Sequence, residues 1–520
     1  MSLTRDAHPG APKRRGGRAG TAERRAGPKD KVVGPGLLGG AYRPLSDDDM
    51  SRVNGAALDI LEKVGMADPP PSCVELFTAA GGWLNDAGRM CISRSLVEDV
   101  IAKANRSWVL HGRNGAADVE FGTRKVNLAT GGGAILVRDM ETREFRECTL
   151  KDLYDGARLI DALEHIHIYH RPFVPRDLAT DRQNDINVAY VTLAGTNKPV
   201  GIPTIDADNV AEVVALLDHV AGGEGVFAKR PFAYMLNSCI VSPLRLAPES
   251  CAIMEKAVRV GVPYFLGISP QAGATSPAAL AGTLVQVVAE ALFGHAYIEL
   301  LSRGHRTLFG IAPFISDLRT GAMSGGGGEQ AVLMAAAGQM GGYYDLPSLV
   351  LAGMTDSKAP DVQAGYEKGY SIAAAALAGP GLICTYAGVL ASLLAFSFEQ
   401  AVLDNEILGN VLRMVRGVEV SEESLSFDVI TEVCAGPGHF LDHPDTLARM
   451  KRDYLYPGVG DRDSPSGWIA NDRPTALARA ENMARDILTG HFPVTIDGKI
   501  DASIRAKFDI RLELEYMRWG

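Results

Sequence analysis

The amino-acid sequence predicts an α/β fold, a TIM-like (β/α)8 barrel with an N-terminal extension and a C-terminal helical cap. Its composition, 46% hydrophobic and 22% charged over 520 residues, is that of an ordinary globular protein. From about residue 130, short apolar or β-branched runs alternate with longer helical patterns, as in parallel βαβ units. There are eight such pairs, the number that closes a barrel. An open doubly wound sheet is the competing architecture, and a count of eight strands favours closure.

The barrel elements follow one another from the first strand to the eighth helix. The predicted strands are 134–137, 165–170, 200–203, 232–237, 264–269, 308–312, 349–353 and 382–386. The predicted helices are 150–163, 183–193, 207–221, 248–260, 277–303, 329–340, 361–377 and 391–415. Functional residues of such barrels lie at the carboxyl ends of the strands, so we expect the site there.

Four regions divide the chain. Residues 1–40 form a basic tail that is rich in Gly, Pro and Arg and that we expect to be disordered. Residues 41–129 form an N-terminal extension packed on the barrel, with helical patterns at 47–64 and 95–104. The barrel itself is predicted over 130–415, and residues 416–520 form the helical cap.

Charge and cysteine usage narrow the function class. The formal net charge is −10, and residues 1–31 hold nine Lys or Arg against three Asp or Glu, so the remainder carries about −16. This acidic charge argues against a nucleic-acid-binding body, and we expect none. The seven cysteines are widely spread without a CxxC pair, which indicates a cytoplasmic protein without a disulfide framework or a cysteine zinc site.

One uncharged stretch, 371–398, is long enough to span a bilayer. The segment Gly379-Pro380-Gly381 interrupts it, and no second span with flanking Lys or Arg exists. We therefore interpret it as a buried helix, a tight loop, a buried strand and the start of the next helix, and we expect no membrane association.

Two motifs carry weak signals for chemistry. The glycine run 325–328 before Glu329 could bind an anion, but it matches neither a P-loop nor the dinucleotide fingerprint. In the histidine-rich strand 165–170, alternation places Tyr169 on the same face as two histidines, which we expect to point into the barrel, while His170 at the strand end could reach a ligand. No H-E-x-x-H motif supports a metal, so no bound metal is expected in this chain.

The strand ends lack the paired carboxylates that hydrolysis needs, and no Ser or Cys lies in a GxSxG elbow. They offer aromatic residues instead, among them Tyr169, Tyr344 and Tyr386. Several aromatic faces around one mouth would hold a quaternary ammonium by cation–π attraction.

Four spaced motifs resemble the trimethylamine methyltransferase family, over about residues 40–490. They are TDSKAPDVQAGYEK at 355–368, SFEQAVLD at 397–404, AGAT at 272–275 and GPGHFL at 436–441. The resemblance implies a TIM-like barrel and methyl transfer from a methylated amine to the cobalt of a corrinoid (cobalamin) carried by a separate partner protein. Its founding members carry pyrrolysine for tertiary amines. The printed sequence has none, so the chain resembles the branch that includes glycine betaine demethylating enzymes.

A quaternary nitrogen already bears full charge and leaves as a neutral amine, so attack by Co(I) needs no acid or base. We therefore expect a methyltransferase acting on a small quaternary amine, glycine betaine-like, with a cognate corrinoid protein, and we expect a homo-oligomer. The methyl acceptor of related proteins could differ. A non-catalytic betaine-binding or sensing barrel is the alternative. A barrel lyase or aldolase would need a Schiff-base lysine or a metal at the strand ends, and Lys358 is the obvious lysine there.

We expect Tyr386, Tyr169 and Tyr344 to form an aromatic cage at the strand ends. His170 or Asn237 would give orienting hydrogen bonds. For a carboxylated substrate, Arg319 after the sixth strand is the expected anion partner, because guanidinium pairs bidentately with carboxylate. A loop-fixing ion pair is the alternative role of Arg319.

Overall fold

The computed structural model of the chain describes residues 42–122, 124–436 and 438–517. The prediction of a disordered tail at 1–40 lies outside the described residues.

Eight parallel strands form the central barrel, which confirms the predicted fold class. They are β1 Asn127–Ala129, β2 Tyr169–His170, β3 Val200–Gly201, β4 Ala233–Asn237, β5 Tyr264–Leu266, β6 Thr307–Gly310, β7 Ser348–Leu351 and β8 Leu382–Cys384. From β2 to β8 each strand pairs in parallel with the next, and β8 pairs with β1 with Leu382 opposite Asn127. The last gap closes where Thr130 N donates to the Ile168 carbonyl over 3.1 Å, just before β2.

Seven of the predicted strands overlap an observed barrel strand, and the first prediction is wrong. The segment predicted at 134–137 contributes instead to Leu136–Arg138, which pairs with Phe145–Glu147 and with Ala395–Phe396 beside the barrel mouth. It is apolar because Val137 is buried within that second sheet. Gly132 leads out of β1 rather than into it, with φ +146° and a position where a Cβ would lie 2.5 Å from the Pro172 carbonyl oxygen.

Eight helices surround the barrel. They are α1 Leu150–Ala162, α2 Asp181–Gly195, α3 Val210–Ala221, α4 Pro248–Arg259, α5 Leu280–Leu301, α6 Gly328–Tyr343, α7 Val362–Ala378 and α8 Phe398–Arg416. Side chains cap several of them, as in α8, where the Ser397 hydroxyl accepts from the Gln400 N–H. A short helix, Val226–Lys229, and a 3₁₀ turn, Ala207–Asn209, complete this layer.

Among the described residues, one helix, α5, is long and apolar enough to cross a membrane, but 83% of that stretch is buried inside the fold, as in a core helix. The uncharged stretch 371–398 forms the end of α7, then β8, a short hairpin and the start of α8. The predicted order of buried helix, loop, strand and helix is confirmed.

The loops after the strands carry small sheets that build up the rim of the barrel mouth. They comprise Ile240–Val241 with Arg245–Leu246, then Gln271–Ala272 with Phe314–Ser316 and Met323–Ser324, and finally Val389–Leu390 with Ala395–Phe396.

The N-terminal extension closes the opposite end of the barrel. Its helices are Asp47–Lys63, Pro71–Ala79 and Arg94–Lys103, and its strands are Trp83–Leu84, Met90–Cys91, Trp108–Leu110 and Val119–Phe121. The Trp108 ring packs against Phe121 and Phe265, and its Nε1–H donates to the Thr307 carbonyl at the start of β6. These aromatic side chains therefore fill the amino-terminal end of the barrel.

The C-terminal region continues with helices on the outside of the barrel. They are Phe427–Ala435, Pro444–Arg452, Pro465–Ala470, Ala476–Gly490 and Gly498–Lys507, followed by a 3₁₀ turn at Leu514–Tyr516. Arg158 of α1 anchors this region, because its buried guanidinium donates to the carbonyls of Leu488 and His491 and lies over the Phe492 ring.

Candidate functional site

A cavity of about 490 Å³ opens at the carboxyl ends of the barrel strands. This volume is within the range of small-molecule sites. All eight strands or the residues directly after them contribute to its wall. The wall includes His170, Arg171, Thr204, Ile205, Asn237, Ser269, Cys384 and Tyr386.

Aromatic side chains in the barrel interior pack against His170, which lines the cavity. The His170 and Tyr234 rings stack with centroids 5.6 Å apart, and Tyr234 in turn stacks on Phe265 at 3.5 Å. The Tyr234 hydroxyl is 3.1 Å from His170 Nδ1, and the backbone N–H of His170 donates to the Thr130 hydroxyl over 2.9 Å. Stacking and the Tyr234 hydroxyl therefore orient the His170 ring, and Thr130 fixes the backbone below it.

His170 presents an uncharged ring to the cavity at neutral pH. Burial, and to a smaller extent the neighbouring charge of Arg171, lower the pKa of His170 to about 3. A positively charged ligand therefore meets no repulsion from this side chain.

Arg171, directly after β2, contributes a guanidinium that has no protein partner. Its Nε is buried without a hydrogen bond, and within the described part of the chain the guanidinium makes no hydrogen bond or ion pair. Burial lowers the pKa of Arg171 to about 10, so the group stays protonated at neutral pH. The side chain as a whole is half-buried, and its buried Nε–H has no acceptor unless a ligand supplies one.

Tyr386, directly after β8, lines the cavity in a left-handed backbone conformation with φ +49°. The buried Lys368 ammonium holds this turn, because Nζ donates to the carbonyls of Tyr386 at 3.0 Å and Gly353 at 2.9 Å. Lys368 also pairs with Asp404 at 3.0 Å, and both side chains are almost fully buried. Burial raises the pKa of the Tyr386 phenol far above its ordinary value, so it stays neutral.

Asp404 has two further hydrogen-bond donors in this buried cluster. Its carboxylate also accepts from the Gly388 N–H and the Gln400 amide, each at 2.7 Å. Burial lowers the pKa of Lys368 and raises that of Asp404, and the attraction between the two charges opposes both shifts.

The cavity wall carries one formal charge. Burial raises the pKa of the Cys384 thiol to about 12, so that group is neutral, and no Asp or Glu lines the cavity among the described residues. Arg171 is thus the charged group of the wall. The Asn237 amide and the Ser269 hydroxyl make no side-chain hydrogen bond within the described ranges and are available to a ligand.

Comparison with known proteins identifies the family. A family model described as Trimethylamine methyltransferase (MTTB) matches residues 13–513 of the chain. The chain belongs to the trimethylamine methyltransferase family. Trimethylamine methyltransferase MttB of Desulfitobacterium hafniense (strain DSM 10664 / DCB-2) is 31% identical over 477 residues, which cover 92% of this chain and 94% of that protein.

The chain is also similar to a second methyltransferase and to a solved structure. Glycine betaine methyltransferase of Desulfitobacterium hafniense (strain Y51) is 28% identical, covering 89% of this chain and 96% of that protein. The crystal structure of the hydroxylamine MtmB complex matches with a TM-score of 0.51 at 14% identity, covering 86% of this chain and 88% of that chain. The last likeness bears on the fold alone.

The motifs that resemble this family build the supports of the cavity. Lys368 and Asp404 close the segments 355–368 and 397–404, and they form the buried pair beneath Tyr386. Asp356 in the first segment accepts from Ser392 at 2.7 Å and from the Gly325 N–H at 2.8 Å. The glycine run 325–328 is therefore bound by a carboxylate of the chain itself, which satisfies donors that the sequence suggested for an external anion.

Three of the six predicted site residues, His170, Asn237 and Tyr386, lie together in the cavity wall. Tyr169 lies outside it, because its hydroxyl donates to the Leu153 carbonyl of α1 over 3.1 Å. The predicted face was reversed: Tyr169 faces the helices, and Ile168 shares the inward face with His170. The sequence could not show which alternate residues face the barrel interior, because both faces of this strand carry buried residues.

The predictions for Tyr344 and Arg319 also place these residues at the wrong positions. Tyr344 follows α6 at the far end of the barrel, where its hydroxyl donates to Asn54 Oδ1 over 2.8 Å. Arg319 lies 75% exposed in the loop after β6 and makes two hydrogen bonds of 2.9 Å to Asp317, so it fixes that loop. Of the predicted three-tyrosine cage, Tyr386 remains.

Lys358 does not meet the requirement of the aldolase alternative. Its ammonium donates to the Asp356 carbonyl over 2.6 Å at an exposed position, and it is not part of the cavity wall.

Sequence reasoning missed Arg171 and the Lys368–Asp404 pair. The signal for Arg171 was its place next to His170 at a strand end, which points to the mouth of a barrel. Lys368 and Asp404 end two of the motifs that resemble the family, but nothing in those motifs indicates that the two charges are buried and paired. Within the described ranges, no cluster of three or more His, Cys, Asp or Glu could hold a metal ion.

Proposed function

We propose that this chain removes a methyl group from a small quaternary amine, glycine betaine-like, and passes it to the Co(I) of a corrinoid held by a separate protein. The observation that carries the proposal is the cavity of a trimethylamine methyltransferase family barrel that offers an aromatic ring and a polar amide but, among the described residues, no carboxylate. Glycine betaine methyltransferase is one of the relatives with this overall length.

The proposed methyl transfer requires the protein to bind and orient the amine but not to donate or accept a proton. The N–CH3 bond of a quaternary amine breaks with its electron pair remaining on nitrogen, so the leaving amine is neutral and needs no proton. When bound to its carrier, the corrinoid supplies the cobalt nucleophile that receives the methyl group. Tyr386 binds the ammonium, Asn237 orients the ligand, and the buried wall excludes water.

A corrinoid on a second protein requires an open mouth, and the rim of this barrel fits that requirement. Apolar side chains from the loops after β3, β4, β6 and β8 stand exposed around it. They are Ile205, Val241, Leu318 and Leu394, between 47% and 66% exposed. Ile205 and its neighbour Thr204 also belong to the cavity wall, so a protein docked on this rim reaches the ligand.

The proposal is tested by incubating the protein with glycine betaine and reduced cobalamin, free or on its carrier protein. Methylcobalamin absorbance should rise together with formation of dimethylglycine. Arg319→Ala, an exposed arginine outside the cavity, is the matched control and should retain the full rate. Saturable binding of glycine betaine without methylcobalamin formation would contradict catalysis and favour a binding or sensing protein.

We also propose that the protein is cytoplasmic and forms a homo-oligomer. Large apolar side chains stand exposed together in the segment from 418 to 441. They include Val418, Val420, Phe427 and Leu441, each 75% exposed or more. A second copy of the chain would cover this surface.

A further inference from the structure

We propose that Arg171 binds the carboxylate of the ligand, so that the site selects zwitterionic betaines over cations without a carboxylate. This inference rests on the proposed function, because it names the substrate class and the residue that distinguishes it. The two charges of such a ligand meet different parts of the wall: the carboxylate meets Arg171 and the quaternary nitrogen meets Tyr386.

The first support is the unpaired state of Arg171. Asp185 is the carboxylate whose charge acts on Arg171, but it makes no ion pair with it and already accepts from other donors. Asp185 accepts from the backbone of Ile205 at 2.9 Å and Asp206 at 3.3 Å, and from the Asn209 amide at 2.8 Å. The guanidinium is thus left with its donors free beside a cavity, and a planar fork of donors suits a carboxylate.

The second support is the charge balance of the wall. His170 and Cys384 are neutral, and no acidic side chain among the described residues lines the cavity, so the wall carries one positive charge. A bare cation such as choline would be repelled by Arg171 without compensation. A betaine brings the carboxylate that cancels this charge, and its ammonium can lie against the Tyr386 ring.

The third support is that Arg319, the arginine that the sequence suggested as the anion partner, is already paired. Its guanidinium donates twice to the Asp317 carboxylate in its own loop. Binding a substrate carboxylate there would require that ion pair to break, whereas Arg171 has no bond to lose.

The test compares two ligands against three variants by titration calorimetry, without any corrinoid. Glycine betaine and choline share the trimethylammonium group, and choline carries a hydroxymethyl in place of the carboxylate. The variants are Arg171→Met, which removes the charge at similar length, Arg171→Lys, which keeps the charge without the fork, and Arg319→Ala as control.

Wild type should bind glycine betaine and bind choline more weakly. Arg171→Met should lose about 30-fold or more in glycine betaine affinity and should not lose choline affinity. Arg171→Lys should fall between the two, and Arg319→Ala should match wild type. Loss of glycine betaine affinity in Arg319→Ala with no loss in Arg171→Met would overturn the inference.

The outcome remains decisive if Arg171→Met does not fold, because the wild-type ligand comparison stands alone: choline binding as tight as glycine betaine would overturn the inference. Failure of the proposed methyl transfer can be distinguished from failure of the Arg171 assignment. Arg171-dependent betaine binding without methylcobalamin formation would contradict the methyl transfer and leave the carboxylate assignment intact.

Discussion

The buried pair of Lys368 and Asp404 should control both the stability of the barrel mouth and the position of Tyr386. In Asp404→Asn the shape of the side chain is kept, but the Lys368 ammonium loses its countercharge at 3.0 Å while remaining fully buried. Removing one partner of a buried ion pair costs about 3–5 kcal/mol. Because Lys368 also donates to the Tyr386 carbonyl, the variant should bind glycine betaine more weakly as well.

Urea unfolding and calorimetric titration measure the two effects. The matched control is Asp208→Asn, which breaks a Lys–Asp pair of 2.7 Å whose carboxylate is 88% exposed and should leave stability and binding nearly unchanged. The double variant Lys368→Met/Asp404→Leu should recover a large part of the loss, because no charge is then left buried. If Asp404→Asn unfolds within about 1 kcal/mol of wild type, the buried pair does not support the mouth as argued.

Three further predictions concern the ligand, pH and assembly. Tyr386→Phe should keep the affinity for glycine betaine, while Tyr386→Ala should weaken it by about 1–2 kcal/mol through the lost cation–π contact, as measured by calorimetry; equal affinity of all three proteins would remove Tyr386 from the site. Burial lowers the pKa of His295 to about 4, so the unfolded chain takes up a proton below about pH 6.5 before the folded one does, and stability is lost as the pH falls. The loss of unfolding free energy between pH 7 and pH 5 should therefore be about 1–2 kcal/mol smaller in His295→Leu than in wild type, and equal losses in urea titrations at the two pH values would contradict this. Replacing Phe427 and Leu441, 76% and 82% exposed, by Ser should lower the oligomeric mass in light scattering without changing the melting temperature, and an unchanged mass would exclude this surface as the interface.

The barrel was predictable from sequence because its pattern is regular and long. Seven strand positions follow from apolar runs between helices, and helix ends follow from caps such as Ser397 before α8. The first strand escaped prediction because Asn127–Ala129 has three residues and a polar start, whereas the run at 134–137 has a stronger apolar pattern yet packs in another sheet.

The place of the candidate cavity was predictable from the sequence, but only part of the residues that line it were. The rule that strand ends carry function found His170, Asn237 and Tyr386. It could not separate the inward from the outward side of β2, so Tyr169 was assigned to the wrong side. Whether an arginine is paired depends on loop geometry, which explains why Arg319 was favoured over Arg171.

The central claim concerns where the methyl group of the bound amine goes. Glycine betaine labelled with ¹³C in its methyl groups should yield labelled methylcobalamin and dimethylglycine in equal amounts when this protein, reduced cobalamin and its carrier protein are combined. The yield should fall in Tyr386→Ala and stay at the wild-type level in Arg319→Ala. Glycine betaine that binds at saturation while no label reaches the cobalt would contradict the account.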